Sequence, residues 1–236
     1  MMTLESIKPL PAASACVRQT PADSGVSPWL SAIVYPLSRW GLLPFYFRKI
    51  EVKGRENLPR SGPVILAPTH RSRWDAFIVP YAAGPYVTGR HSRFMVTADE
   101  MRGPQGWLIR KMGGFAVNQK HPAIATVRHG VDLLRRGEML VIFPEGNIFR
   151  DRQVHELKPG LARLALQAES HDRNLGVKVV PMSLHYDPIV PRWRTKVEVK
   201  IGVPLEVSQY AQGSPKQAAQ NLMGDLGRRL VELDGE

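Results

Sequence analysis

The sequence is short of cysteine, of acidic charge and of unbroken apolar length. A single cysteine, Cys16, stands among 236 residues, so no internal disulfide can close and no thiolate metal cluster can form, and a reducing compartment is the natural reading. Nothing matches a P-loop, a G-x-G-x-x-G turn or an H-E-x-x-H helix, and the seven histidines are scattered without ligand spacing, which argues against nucleotide and metal roles. No G-x-S-x-G elbow offers a serine nucleophile. No apolar h-region follows a basic start, so a secretory signal is not expected.

Acidic residues are the minority, 21 against 32 lysines and arginines, giving a formal charge of +11. With 43% hydrophobic and 22% charged residues, the chain can bury one full core, and disorder and disulfide-scaffold classes are excluded. A basic excess attracts nucleic acid, anionic membrane or an acidic protein alike. Its placement is more informative. The first 27 residues carry Glu5, Lys8, Arg18 and Asp23 and sum to zero. The excess is densest over 102–136, where Arg102, Arg110, Lys111, Lys120, Arg128, Arg135 and Arg136 face Asp132 alone. A second cluster holds Arg48, Lys49, Lys53, Arg55 and Arg60 against Glu51 and Glu56. Any one of these cations is as readily a solvated helix face.

Three regions are expected. Residues 1–27, rich in Pro, Ala, Ser and Thr, form a disordered tail. Residues 28–47 are strongly apolar with Arg39 the only charge, but Pro36 and Pro44 interrupt them. Ser31, Ser38 and Arg39 gather on one side at helical spacing, and Trp29, Ile33, Leu37 and Trp40 on another. A helix capped by Ser27 and opened by Pro28, lying as an amphipathic segment in a membrane interface, is the preferred reading. Packing on the protein's own core is the alternative, and a true span ranks third. From 48 to 236 short β-branched or aromatic runs at 64–67, 94–97, 115–117, 140–143, 177–180 and 197–201 alternate with helical patterns at 122–136, 160–169 and 215–233. That alternation predicts an α/β fold with a mostly parallel central sheet flanked by helices.

Three of the apolar runs meet a proline, at Pro68, Pro144 and Pro181, each expected to stop its strand. The residues after each proline would emerge on the ligand-binding rim of a parallel sheet. The first rim segment holds His70 and Asp75, and the second holds Glu145, Gly146 and Arg150. A carboxylate five residues after a histidine, across a strand-to-helix turn, can fold back on one ring nitrogen and raise the basicity of the other. With no nucleophile beside it, such a pair suits direct deprotonation of a substrate hydroxyl. The competing reading has Asp75 capping the next helix and His70 as a satisfied rim histidine.

At these residues the chain resembles the glycerolipid acyltransferase family, whose four ordered motifs have counterparts over about residues 48–205. H-x-x-x-x-D is His70 to Asp75, with Thr69 where the family has asparagine. The Gly-containing second motif is Gly113 to Gln119, F-P-E-G is Phe143 to Gly146, and the fourth motif is Val180-Pro181. The resemblance implies an O-acyltransferase that passes an acyl group from a thioester, acyl-ACP or acyl-CoA, to 1-acylglycerol-3-phosphate. His70 would be the base, Asp75 its orienter, and Glu145, Gly146, Gln119, Lys120 and Arg150 the acceptor-binding residues. It implies no cofactor and no metal, membrane lipid as partner rather than nucleic acid, and peripheral attachment to the cytoplasmic face of a membrane. Two arginines that the family uses for the acceptor phosphate are Gln119 and Ile148 here, with Lys120, Arg150 and Arg152 nearby. Arginine's bidentate fork is not reproduced by a lysine one position along, so a different lysolipid acceptor stands as the alternative, and a non-catalytic basic lipid-binding protein as another. The sequence is silent on oligomeric state.

Overall fold

The computed structural model describes residues 25–118, 123–171 and 175–235. The expected tail, up to residue 24, and the candidates Gln119 and Lys120 lie outside the described residues. The strands are β1 (Lys49–Lys53), β2 (Val64–Pro68), β3 (Ser92–Thr97), β4 (Phe115–Val117), β5 (Met139–Val141), β6 (Lys178–Asp187), β7 (Lys196–Ile201) and β8 (Leu205–Glu206). They form one sheet in the order β1-β7-β6-β2-β5-β3-β4, with β8 also on β6. From β6 to β4 all pairs are parallel. Strand β7 runs antiparallel to β6, and β1 runs parallel to β7. This is the mostly parallel α/β sheet that the alternation predicts.

The central strands are buried on both faces, which is why they read as continuous apolar runs. Along β2, Ile65 and Ala67 enter one core layer with Leu134, Leu164 and Leu226. Those leucines come from α6 (Ile124–Arg135), α7 (Gly160–His171) and α8 (Pro215–Gly235), which follow the shorter α4 (Pro85–Thr88) and α5 (Gly103–Lys111). Val64 and Leu66 enter the opposite layer with Leu43 and Ile78, from α2 (Leu43–Tyr46) and α3 (Asp75–Ala83). The neighbours β2 and β5 therefore send their chains to opposite faces, β2 to α3 and β5 to α7. A crevice opens at such a divergence, and both rim segments leave from it.

Pro181 does not stop its strand, because β6 continues through it to Asp187. On that edge β8 pairs with residues 178 and 179 and β7 takes over at Met182, so Pro181 sits in the gap between two partners, where a missing N–H costs no ladder bond. Strands β6 and β7 consequently rise past the end of β2 as a wall beside the crevice. Strand β1, alternating charged and apolar, and the two-residue β8 were not expected from the sequence.

The N-terminal helix α1 (Pro28–Pro36) passes through a π-helical turn, Leu37–Leu42, into α2. The Ser27 side chain makes no cap; its carbonyl accepts the Ser31 N–H at 2.9 Å. The two faces separate as expected, but with their polarity turned round. Ser31 is buried, Ser38 Oγ donates to Tyr35 O, and Arg39 Nη1 donates to Tyr81 O at 3.0 Å. Every exposed residue from 28 to 47 is apolar: Trp29, Ala32, Ile33, Leu37, Trp40, Leu42 and Phe45, with Pro28, Gly41 and Pro44. The inner face packs on the core through Leu30, Tyr35, Leu43 and Phe47, so the core-packing alternative holds for one face. Tyr86 against Trp40 and Trp193 against Phe45, with centroids 4.8 and 4.6 Å apart, widen the outer strip.

Candidate active site

The crevice carries the expected pair. His70 Nδ1 lies 2.8 Å from Asp75 Oδ2, and the imidazole stacks on Phe143, the first residue of the F-P-E-G segment, at 4.0 Å between centroids. Asp75 is fully buried at the first position of α3. Its Oδ2 also accepts the N–H groups of Arg71 at 2.7 Å and Ser72 at 2.9 Å, and its Oδ1 accepts the Tyr186 hydroxyl at 2.6 Å. Four donors converge on one carboxylate, so it is fixed as an acceptor. The ring must then donate from Nδ1, and Nε2 keeps its lone pair for a ligand proton. Asp75 makes no cap to α3; its carboxylate serves the N–H groups of the turn before the helix and holds the histidine ring.

Tyr186 was missed by the sequence reading. It lies on β6, beyond Pro181, and is reached only because β6 runs on. Burial, with the Asp75 charge beside it, pushes its phenol well above the ordinary 10.0, so it remains a donor across the neutral range. Thr69 fills a structural place: its Oγ1 accepts the Leu184 N–H at 2.9 Å, tying the His70–Asp75 turn to the same strand.

Glu145 corrects an expectation. It does not line an acceptor pocket but is buried beneath the turn, where Oε2 accepts the His70 N–H at 2.7 Å and Oε1 the His155 N–H at 3.0 Å. Arg71 Nη1 bridges both oxygens at 3.0 and 2.8 Å, and its Nη2 donates to Gln153 O. A buried carboxylate so engaged has no lone pair facing a ligand; it joins the His70 turn to the 143–155 segment and holds both. Gly146 turns at φ +76°, a left-handed conformation that favours glycine. The Phe149 N–H donates to His70 O at 2.9 Å, which places exposed Arg150 one residue from a direct contact with the histidine. Ser72 is buried and its Oγ accepts the Trp74 N–H, so it is not poised as a nucleophile. Trp74 stacks on Tyr46 of α2 at 4.3 Å, so the His70–Asp75 turn abuts the outward apolar segment.

Comparison with known proteins agrees with this geometry. The family model described as "Acyltransferase" matches residues 49–185. The chain is 23% identical over 190 residues to the 1-acyl-sn-glycerol-3-phosphate acyltransferase of Bacillus subtilis, covering 79% of this chain and 89% of that protein. It is 25% identical over 181 residues to the protein of the same name from Pseudomonas aeruginosa, covering 74% of this chain and 64% of that one. Among solved structures, the 1-acyl-sn-glycerophosphate (LPA) acyltransferase PlsC of Thermotoga maritima superposes with a TM-score of 0.63 at 21% identity, over 88% of this chain and 80% of that chain; that likeness speaks for the fold. With the family model spanning more than half of the sequence around the His70–Asp75 crevice, the chain belongs to the acyltransferase family.

Proposed function

We propose that the protein transfers a fatty acyl group from an acyl thioester, carried by acyl carrier protein or coenzyme A, to the free hydroxyl of 1-acylglycerol-3-phosphate, giving phosphatidate for phospholipid biosynthesis. The observation that carries this reading is the His70–Asp75 contact of 2.8 Å, with Nε2 left free and no nucleophilic side chain beside it. In this reading Nε2 takes the acceptor's hydroxyl proton as its oxygen attacks the thioester carbonyl carbon. The tetrahedral intermediate collapses, the C–S bond breaks, and the departing thiolate receives the proton from the imidazolium. Asp75 keeps the ring in the productive tautomer and faces the charge that forms on it. Arg150, next to Phe149 whose N–H meets His70 O, is exposed at the rim and is assigned to the acceptor phosphate. Ile148 beside it, where the family has arginine, favours the second reading, in which the same chemistry acts on a lysolipid of another head group.

The outward strip supports a peripheral place on a membrane, assigned in this proposal to the cytoplasmic face. A water-facing helix turns polar groups outward; here polar groups turn inward and large apolar ones outward, flanked by exposed Arg48, Arg192 and Arg194, a pattern suited to an anionic interface. Among the described residues no helix is long and apolar enough to cross a membrane. Purified protein supplied with acyl-ACP or acyl-CoA and lysophosphatidate should form phosphatidate, and His70→Ala should lower turnover by about 10²- to 10⁴-fold. Activity that survives this substitution refutes the mechanism, and an inactive wild-type protein that still binds lipid favours the non-catalytic alternative. Faster turnover of a lysolipid lacking the phosphate monoester would select the second acceptor.

A further inference from the structure

Away from the crevice, a cavity of about 490 Å³ lies between the end of β7, the turn after β1 and the last turns of α8. Three cations line it, Lys53, Lys200 and Arg229, against one carboxylate, Glu232. Lys53 is matched by Glu198 at 2.7 Å and Arg229 by Glu232 at 3.4 Å. Lys200 is different. It is 7% exposed, and among the described residues no carboxylate lies within ion-pair distance of it. Asp234, on the same end of α8, is held through Oδ1 by Ser183 at 2.6 Å and His185 at 3.0 Å, and its buried Oδ2 has no hydrogen-bond partner among the described residues. The aliphatic stem of Lys200 is buried while its ammonium reaches the cavity, where, with Lys53 and Arg229 beside it, it is placed to meet an anion.

Two glycines let the protein pack closely behind the cavity. Gly54 turns at φ +78° with its α-carbon against the Ile201 carbonyl, which also accepts Asn57 Nδ2–H at 2.8 Å. Gly202 lies against Pro181, where an added Cβ would come within 2.9 Å of the ring. The position of the cavity narrows the ligand. Register pairs Pro68 with Met182 and Met182 with Ile201, so the cavity is level with the end of β2 and two strand spacings, about 10 Å, across the sheet from it. The apolar strip and Trp193 sit beyond the other end of β7. Lys200 is four residues along that strand from Lys196, about 13 Å at ~3.3 Å per residue, too deep for a lipid headgroup in the bilayer plane.

We propose that Lys200, with Lys53 and Arg229, binds the phosphate group of a soluble small molecule. The phosphate-bearing end of a thioester donor fits this chemistry, since an extended pantetheine arm is longer than the two-strand separation from the catalytic turn. A free phosphorylated metabolite offers the same group. Only the donor assignment rests on the acyl-transfer reading.

The full-length protein is titrated by calorimetry with inorganic phosphate and, separately, with coenzyme A, at ionic strength held constant with chloride. Saturable binding is expected, weakened about tenfold or more in Lys200→Met, the loss of one charge-assisted contact, and partly restored in Lys200→Arg. Without ligand, Lys200→Met should melt close to wild type, because the ammonium makes no ion pair in the fold, while the rise in melting temperature that phosphate gives the wild type should vanish. Arg229→Gln, at an exposed helix position, provides a second variant should Lys200→Met fail to fold, and should also weaken binding. Phosphate displaced by coenzyme A places the donor in the site, and phosphate that coenzyme A does not displace places a free metabolite there; both support the proposal. No saturable binding to the wild type, or binding unchanged in Lys200→Met and Arg229→Gln, overturns it. His70→Ala should bind phosphate as the wild type does, so the site stands or falls apart from the catalytic reading.

Discussion

Replacing Tyr186 by phenylalanine removes one oxygen atom from the floor of the site and leaves the shape of the side chain unchanged. That oxygen donates to Asp75 Oδ1 at 2.6 Å inside a carboxylate with no solvent exposure, and no water can replace it without the wall opening. A hydrogen bond to a charged group is worth about 1.5–3 kcal/mol, so a loss of about 2 kcal/mol in stability is expected. For a chain of this size that lowers the melting temperature by about 4–8 °C. The other three donors, His70 Nδ1 and the N–H groups of Arg71 and Ser72, all meet Oδ2, so without Tyr186 nothing fixes the far oxygen and the carboxylate can swing about its Cβ–Cγ bond. His70 then loses part of its orientation in the step where it becomes an imidazolium. If about 1.4 kcal/mol of the loss is felt in the transition state, kcat falls about tenfold. Tyr186 touches neither substrate in the proposed arrangement, so KM should hold. The assay is steady-state turnover beside thermal unfolding of the same preparation. A variant with lowered melting temperature and full kcat would refute the reasoning, because it would show that Tyr186 supports the fold and not the orientation of the base.

Other perturbations separate the remaining parts. Glu145→Gln leaves Arg71 buried without its counter-charge, and breaking such a pair costs about 3–5 kcal/mol; chemical denaturation should register it, together with a fall in kcat as the His70 turn loosens. An unchanged denaturation midpoint would count against the role of Glu145 beneath the turn. Glutamate at both Trp40 and Phe45, which are 63% and 71% exposed, should leave the melting temperature nearly unaltered while weakening sedimentation with anionic vesicles by about 10²-fold or more, since each such side chain contributes about 1.5–3 kcal/mol on burial. Equal pelleting of variant and wild type would dismiss the strip as a lipid contact. For Asp234, burial raises the carboxyl pKa, but the His185 and Ser183 hydrogen bonds outweigh it and the net shift is downward. A carboxyl depressed in the folded state stabilises fully above its unfolded value of about 3.9, and the benefit disappears as pH falls through the folded value. Asp234→Asn should thus flatten the acid limb of the stability curve below about pH 5, measured by urea unfolding; an identical limb would contradict the assignment.

What could be read from the sequence divides along a physical line. Strand β2 was legible because burial on both faces leaves an unbroken apolar run, β3, β4 and β7 through short β-branched or aromatic stretches, and α6, α7 and α8 because their apolar period survives along the helix. Strand β1 was read as a basic cluster, since Lys49, Glu51 and Lys53 alternate along a half-exposed edge. The His70–Asp75 pair was legible because turn geometry makes a five-residue spacing meaningful within one segment. Tyr186 carries no local signal; its contact with Asp75 spans 111 residues and depends on β6 outrunning its neighbour, which Pro181 disguised. Glu145 illustrates the reverse case: its motif was visible, but whether a carboxylate faces a ligand or a buried arginine is decided by packing. The apolar segment was split correctly into faces, yet only three-dimensional packing tells which face meets the protein.

The outward strip has a kinetic corollary. In the proposed arrangement, with Trp29, Ile33, Leu37, Trp40 and Phe45 seated in lipid, the crevice beside Trp74 would meet a lysolipid by lateral diffusion in two dimensions. The saturation constant for the acceptor is then a mole fraction of the surface and not a bulk concentration. Diluting the acceptor with inert phospholipid should slow turnover even while its total concentration stays the same, whereas the thioester donor, arriving from water, should follow ordinary molar kinetics.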